Sequence, residues 1–280
     1  MPRGGLIDTL MQDLNLTAAG FIVTIYGDVV LPRGGVLWMG SLIALCERVG
    51  IKETLVRTAV SRLVTGNQLK GERVGRRSYY RLSPGAQAEF AEVADRLYAP
   101  LWDTHGWYVL YGPAIPEGRG RNGHMVKLAG DVWIAPDLGD APPHSEIVFR
   151  ADVSDAASLQ KLAAIWDLSD LGRRYQAFID RFSALGKVLD SEAPMPATDA
   201  LVARLLLVHV YRGALLRDPC LPRSVLPPDW AGTRAHDLFI DLYRQLSLKA
   251  ATAVPLLLEG EAGPLPDVTS DTKRRNQRLT

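Results

Sequence analysis

A chain of 280 residues with 47% hydrophobic and 22% charged side chains is long enough to bury a sizeable core and to divide into two or three domains. No apolar run approaches the roughly 18 residues of a membrane span, and the opening MPRGGLIDTLMQDLNL lacks a basic-then-apolar secretory pattern. The expected location is therefore cytoplasmic, with no membrane partner. The net charge of +1 conceals an uneven distribution: twelve basic and nine acidic residues in 1–100, nine and fourteen in 101–200, and eleven and eight in 201–280. A near-neutral total does not exclude a polyanionic partner, which needs only a local basic patch. Two cysteines, Cys46 and Cys220, are too few for a disulfide framework or a cysteine-rich zinc site, so reduced, packed thiols are expected, with no metal and no other cofactor.

Leu16 to Val30 (LTAAGFIVTIYGDVV) predicts a first helix, closed by the breaker run Pro32-Arg33-Gly34-Gly35. Trp38 to Val49 predicts a second, short and amphipathic, and Gly50-Ile51 a tight turn into a third. The stretch from Thr54 to Leu82 then holds seven basic residues, Arg57, Arg62, Lys70, Arg73, Arg76, Arg77 and Arg81, against one acid, Glu72. At about 100° per residue, Thr54–Thr65 separates Leu55, Val56, Ala59, Val60, Leu63 and Val64 from a face of Thr54, Arg57, Thr58, Ser61, Arg62 and Thr65. A merely solvated face would mix Glu and Lys at i, i+4. This one offers arginines for guanine or phosphate and hydroxyls for either, which suits a major groove. Lys52 and Ile51 are poor N-caps by type, so the cap is expected at Thr54.

After the stop signal Gly66-Asn67, the runs Gln68–Val74 and Ser78–Leu82 flank Gly75-Arg76-Arg77 and predict a hairpin. Three helices followed by a basic hairpin make a winged helix-turn-helix for double-stranded DNA. Arg57, Thr58, Ser61 and Arg62 are expected to read bases, and Lys70, Arg73, Arg76, Arg77 and Tyr79 to hold the phosphate backbone.

Ser83-Pro84 opens an exit helix over Pro84–Ala99. Trp107–Tyr111, Val132–Ala135 and Ile147–Arg150 are predicted strands, followed by a helix from Leu159 to Ile165, which together suggest a small α/β domain. From Asp199 the pattern is helical, with Ala200–Leu215 and Ala235–Ala251 separated by the proline-rich loop Asp218–Trp230. Beyond Gly260 the composition is glycine, proline and charge, and disorder is expected. The fold class is α+β: a winged-helix domain with its exit helix over 1–99, a central α/β domain over 100–190, a C-terminal α-helical domain over 191–260, and a disordered tail over 261–280.

Chemistry is poorly represented. Gly118, Gly120 and Gly123 match a dinucleotide-binding spacing, but they do not directly follow a strand and no helix opens after them. His209, beside Tyr211 and Arg212, has no nucleophile or carboxylate at a useful spacing; a packed histidine or an anion contact is expected. His105, His124, His144 and His236 form no ligand spacing. Asp131 and Asp137 are the candidates for a metal-dependent nuclease centre, and no nucleophile or acid/base pair supports an enzyme acting on a coenzyme A thioester or nucleotide. The expectation is a chain that is not an enzyme.

Four blocks resemble a known family. They are Tyr26–Val64 (YGDVVLPRGGVLWMGSLIALCERVGIKETLVRTAVSRLV), Gly75–Gln87 (GRRSYYRLSPGAQ), Trp166–Phe178 (WDLSDLGRRYQAF) and His209–Trp230 (HVYRGALLRDPCLPRSVLPPDW), followed by Leu238, Phe239 and Tyr243. In this order they resemble the PaaX family of transcriptional repressors, which regulate phenylacetate degradation and related aromatic catabolism in bacteria. The resemblance implies that the central domain is ferredoxin-like, that the protein acts as a homodimer on a palindromic operator, and that a coenzyme A thioester releases it from DNA. Such an effector presents phosphates that suit arginine and an acyl group that suits an apolar pocket. Trp166, Arg173, Arg174, Tyr175, His209, Arg212, Arg217 and Trp230 are the candidates to bind it. The chain departs from the family between Tyr111 and Trp133, where a short glycine-rich segment stands in place of a longer charged one.

Overall fold

The computed structural model describes residues 5–98, 106–112, 125–139, 145–153, 155, 158, 161–162, 164–191 and 194–279. Two units form from interleaved segments of chain: 1–99, 179–212 and 237–280 make the first, 100–178 and 213–236 the second. Three long helices contribute residues to both units, so the boundaries cut across the segments 100–190 and 191–260 that composition suggests.

In the first unit, the short helix α1 (Leu6–Met11) precedes α2 (Ala18–Ile25), whose cap is the Thr17 side chain accepting from the Gly20 N–H at 3.2 Å. The chain continues through a wide π turn at Tyr26–Val30 and a 3-10 turn at Leu31–Arg33, and Gly34 at φ +99° ends the run. Strand β1 (Val36–Trp38) and helices α3 (Met39–Glu47) and α4 (Glu53–Thr65) follow, then β2 (Leu69–Val74) and β3 (Arg77–Leu82). β3 lies between β1 and β2 in an antiparallel sheet, with Leu37 and Gly71 both opposite Tyr80. The three-residue β1 is not legible in the sequence, being too short to show a period. Phe21, Ile22, Ile25, Leu42, Leu45, Cys46, Val56 and Val60 are buried where these helices meet. Each large aliphatic or aromatic side chain so buried stabilises by about 1.5–3 kcal/mol. Burial, the dominant effect, also pushes the Cys46 thiol up to about 12, the signature of a packed thiol. Neither cysteine is in a disulfide. The Tyr26 hydroxyl donates to the Tyr80 carbonyl at 3.0 Å, pinning the π turn to the sheet.

The exit helix α5 (Pro84–Leu97) is capped by the Ser83 side chain, which accepts from the Ala86 N–H. The unit is completed by Ile179 onward of α6 (Ser169–Leu189), by α7 (Ala197–Leu215) up to Arg212, and by α8 (Ala231–Ala250) from Asp237. Helix α9 (Ala253–Leu257), the small hairpin β8 (Glu259–Gly260) and β9 (Gly263–Pro264), and α10 (Ser270–Arg278) end the chain.

Asp28, in the π turn, is the buried centre of this unit. Its carboxylate accepts from the Tyr98 hydroxyl at 2.9 Å, the Tyr243 hydroxyl at 2.8 Å and Nε of Arg204 at 3.0 Å. Nη1 of Arg275 donates to the same carboxylate at 3.2 Å and to the Asp28 carbonyl at 2.7 Å, while its Nη2 donates to the Gly27 carbonyl. Helices α5, α7, α8 and α10 thus converge on one acid from α2's extension. Burial opposes ionisation of Asp28 more than any other single influence, yet Arg204, Arg275 and the two phenols together hold its carboxyl below the usual carboxylate range.

The tail is therefore folded, contrary to the disorder expected over 261–280. The Thr269 side chain caps α10 in a reciprocal box with Thr272, and its hydroxyl donates to the Pro32 carbonyl at 2.7 Å. A compositional argument counts apolar area and misses such anchoring, in which a polar helix gains its place through one buried arginine.

The second unit carries β4 (Trp107–Tyr111), β5 (Val126–Ala129), β6 (Val132–Pro136) and β7 (Ile147–Ala151) in one antiparallel sheet of order β5-β6-β4-β7. β5 is an addition to the predicted strands. Trp107, Ile134, Trp166, Leu221 and Val225 form its core, with the two indoles 5.8 Å apart. The helix expected from Leu159 falls partly outside the described residues.

Two outcomes follow from the buried charge of the first unit. Asp28→Asn leaves two guanidinium groups buried beside a neutral amide, and urea unfolding should lose about 3–5 kcal/mol, whereas a loss below about 1 kcal/mol would refute this role. His209, whose Nδ1 lies 2.9 Å from Thr24 Oγ1, is pushed down to about 4 from 6.5, first by burial and then by Arg212. A depressed folded value means that the neutral imidazole stabilises fully above pH 6.5 and that this stability is lost as pH falls towards 4. The slope of unfolding free energy across that window should flatten in His209→Gln.

Candidate nucleic-acid interface

Helices α3 and α4 are joined by a tight turn over 48–52. The N–H groups of Val49 and Ile51 both donate to the Cys46 carbonyl, and Gly50, at φ +76°, takes the left-handed position that a side chain would strain. Helix α4 begins at Glu53 with Lys52 as its N-cap residue, two positions earlier than the Thr54 cap expected from residue type. No side chain caps it; Glu53 instead places a carboxylate in the first turn, where the helix dipole favours one.

The earlier start changes the polar face. Glu53 pairs with Arg57 at 2.7 Å, so the face is not free of acid. Both groups are at least half exposed, and such a pair contributes about 0.3–0.5 kcal/mol, little enough for Arg57 to exchange it for a phosphate or a base edge. The apolar face is narrower than the wheel suggests: Val56, Ala59, Val60 and Leu63 are buried, while Leu55 stands 55% exposed and Val64 39%. Thr58 spends its donor on the Thr54 carbonyl at 2.8 Å, leaving its oxygen and methyl to meet a partner. Ser61 and Arg62 are exposed, and Arg62 makes no ion pair among the described residues.

The hairpin divides its predicted contacts. Lys70, Arg73 and Arg76 are exposed, with Arg73 Nε donating to the Gly75 carbonyl at 3.2 Å near the tip. Arg77 lies 4.5 Å over the Trp38 ring and is paired with Glu259, which offsets part of its charge. Arg81 is likewise committed, to Glu72 at 3.0 Å and Glu261 at 3.3 Å. Tyr79 does not belong to the surface set: it is 6% exposed and stands opposite Trp38 in the β1–β3 register, on the buried side that strand alternation assigns it. Lys70 and Arg76, like Arg62, make no ion pair among the described residues. α4 and the hairpin thus keep Arg62, Lys70, Arg73 and Arg76 exposed and without an ion pair among the described residues. The Glu53–Arg57 spacing was legible locally; the partnership of Arg77 with Glu259, 182 positions away, left no local signal.

The proposed effector residues separate between the units. In the second, Tyr175 is buried, donates to Asp218 at 2.6 Å and meets Trp230 edge-on at 6.1 Å. Trp166 belongs to that unit's core, Arg173 and Arg174 both pair with Asp170, and Arg217 donates to the Gly213 carbonyl. His209 and Arg212 belong to the first unit, where Arg212 lines a small recess with Phe90, Tyr98 and Val208. Gly118, Gly120, Gly123, His105, His124 and His144 lie outside the described residues. Asp137 is buried against Arg150 at 2.6 Å and accepts from the Gly139 N–H, while Asp131 is exposed. Among the described residues, no group of three or more His, Cys, Asp or Glu side chains is placed to hold a metal.

Comparison with known proteins places this interface in context. The family model for PaaX-like protein matches residues 17–86, from the start of α2 to the start of α5, and the model for the PaaX-like protein C-terminal domain matches residues 166–254. The transcriptional repressor PaaX of Escherichia coli K12 is 30% identical over 293 aligned residues, covering 93% of this chain and 91% of the repressor. A solved structure of an uncharacterized protein from Mycobacterium tuberculosis covers 76% of this chain and 89% of its own at 23% identity, with a TM-score of 0.46. With both family segments present in order, the first carrying the helices and hairpin described above, this chain belongs to the PaaX-like protein family.

Proposed function

We propose that this protein is a DNA-binding transcriptional repressor of an aromatic-acid catabolic operon. The observation that carries the proposal is the exposed face of α4, Arg57, Thr58, Ser61 and Arg62, followed by a hairpin whose Lys70 and Arg76 have no carboxylate partner among the described residues. The element order helix, strand, two helices, then two strands supports a winged helix-turn-helix within residues 1–99, with α4 as recognition helix. Arg57 and Arg62 suit guanine O6 and N7, and Ser61 either base edges or phosphate. Lys70, Arg73 and Arg76 would hold the backbone, with Arg77 joining them once it leaves Glu259. The order β7-β4-β6-β5, antiparallel throughout, supports a ferredoxin-like second unit.

The repressor reading extends to a homodimer on a palindromic operator. Two copies would place their α4 helices in successive major grooves, about 34–36 Å apart or a multiple of it. Release would come from a coenzyme A thioester of an aromatic acid. In the second unit Trp230, half-buried against Tyr175, is the aromatic candidate for an acyl group, and Arg173, Arg174 and Arg217 are the cations for its phosphates. An effector that favours the DNA-incompetent state lowers DNA affinity, and DNA lowers effector affinity by the same factor.

Fluorescence anisotropy of the protein on a labelled fragment of its own upstream region, against random duplex at fixed salt, tests the proposal. Arg62→Ala should cost about 1–3 kcal/mol on the specific site and relax discrimination, whereas Arg76→Ala should weaken both duplexes alike and reduce the salt slope by about 1. Equal losses for both variants on both duplexes would remove the division between reading and holding. A panel of aryl and acyl coenzyme A thioesters added to the wild-type complex should contain one that releases the specific fragment; no release by any would remove the effector assignment.

A further inference from the structure

Within the first unit a cavity of about 110 Å³ opens beside the Asp28 centre. Arg33, Arg204, Lys273 and Arg275 line it, against Asp28 and Asp267. Asp28 is already shared between Arg204 and Arg275. Arg33, only 7% exposed, meets no carboxylate: Nε, Nη1 and Nη2 donate to the carbonyls of Pro266, Val29 and Asp267. Arg204 is 3% exposed, and its Nη2, though 2.9 Å from Asp28 Oδ2 as an ion-pair contact, directs no hydrogen bond to any acceptor.

We infer that this cavity is a site for a phosphate, free or as the end of a small ester. Three buried or nearly buried cations, Arg33, Arg204 and Arg275, face one buried carboxylate, Asp28, while Lys273 and Asp267 stand at the exposed mouth; buried charge left uncompensated is costly, so an anion completes the balance. The excess positive potential is also visible in Arg33, pushed down to about 10 first by burial and then by the neighbouring Arg204. The volume is enough for a tetrahedral oxyanion. Guanidinium groups match phosphate oxygens with charge-assisted hydrogen bonds, Arg204 Nη2 makes no well-aligned hydrogen bond although Asp28 Oδ2 is 2.9 Å away, and Ser247 and Thr272 line the same cavity. The inference is independent of the repressor reading, since none of these residues belongs to the DNA-facing set or to the effector candidates.

Isothermal titration of the full chain with inorganic phosphate, at constant ionic strength held with chloride, tests it. Saturable binding at one site is expected, weakened about tenfold by Lys273→Gln, which removes one charged partner from the exposed rim. Ala251→Leu, which fills the cavity from its wall, should abolish the binding; if that variant does not fold, Lys273→Gln decides. Glycerol 3-phosphate titrated in parallel separates the sources: competition identifies an ester terminus, and none identifies the free anion, either in keeping with the site. No saturable binding to the wild type, or binding unchanged in Lys273→Gln, overturns the inference.

Discussion

One buried carboxylate organises the first unit. Asp28 occupies the turn that prolongs α2, and the groups that neutralise it come from four helices far apart in sequence: Tyr98 from α5, Arg204 from α7, Tyr243 from α8 and Arg275 from α10. A buried ion pair is seldom a large net source of stability, because desolvation offsets much of the attraction. Its effect is on arrangement. Its partners come from α7, α8, α10 and the residue that closes α5, so the one charge ties the turn after α2 to the C-terminal helices. Aromatic contacts reinforce the convergence, with Tyr211 stacked on Phe239 at 4.3 Å and Tyr98 5.1 Å from Tyr243.

From that centre outward, the surface proposed to meet DNA needs little else. α2 and α3 supply the apolar wall against which α4 buries Val56, Ala59, Val60 and Leu63, and the turn at Gly50 sets the angle between α3 and α4. The hairpin is held from behind by Tyr26 on the Tyr80 carbonyl and at its side by the pairing of Arg77 with Glu259 of β8, whose N–H is fixed on Ser41 of α3. Arg77 and Arg81, paired with Glu259 and Glu261, lie where the hairpin meets this C-terminal strand pair. Arg76 on the tip, Lys70 near the base of β2 and Arg62 on α4 are exposed and make no ion pair among the described residues, which leaves positive charge for a polyanion along a protruding ribbon.

The helices and the hairpin of residues 16–97 were legible because each carries a period or a stop signal that local chemistry enforces: the polar and apolar halves of α4, Gly50, Gly66-Asn67, and Ser83-Pro84 before α5. What escaped was tertiary. β1 is three residues long and exists through its pairing with β3, and β5 likewise leans on β6. The tail helix is polar and proline-flanked, so composition reads it as disordered, while its order rests on Arg275 reaching an acid 247 positions earlier. Tyr79, expected with the basic hairpin residues to hold the phosphate backbone, is turned inward by the alternation of β3. The arginines at 57, 77, 173 and 174 were counted as available charge, and each has an acidic neighbour that only the fold, or a closer look at i, i+4 spacing, brings into view.

The central claim is that the Asp28 cluster makes the N-terminal helices and the C-terminal tail a single cooperative structure. Hydrogen–deuterium exchange on the intact chain and on Arg275→Gln tests it directly, because the substitution lies on α10 and removes that helix's charged contact with α2's extension. The account predicts faster exchange in α10 together with Ala18–Val30 and the C-terminal part of α5. Faster exchange confined to α10, with the Asp28 turn unchanged, would contradict it.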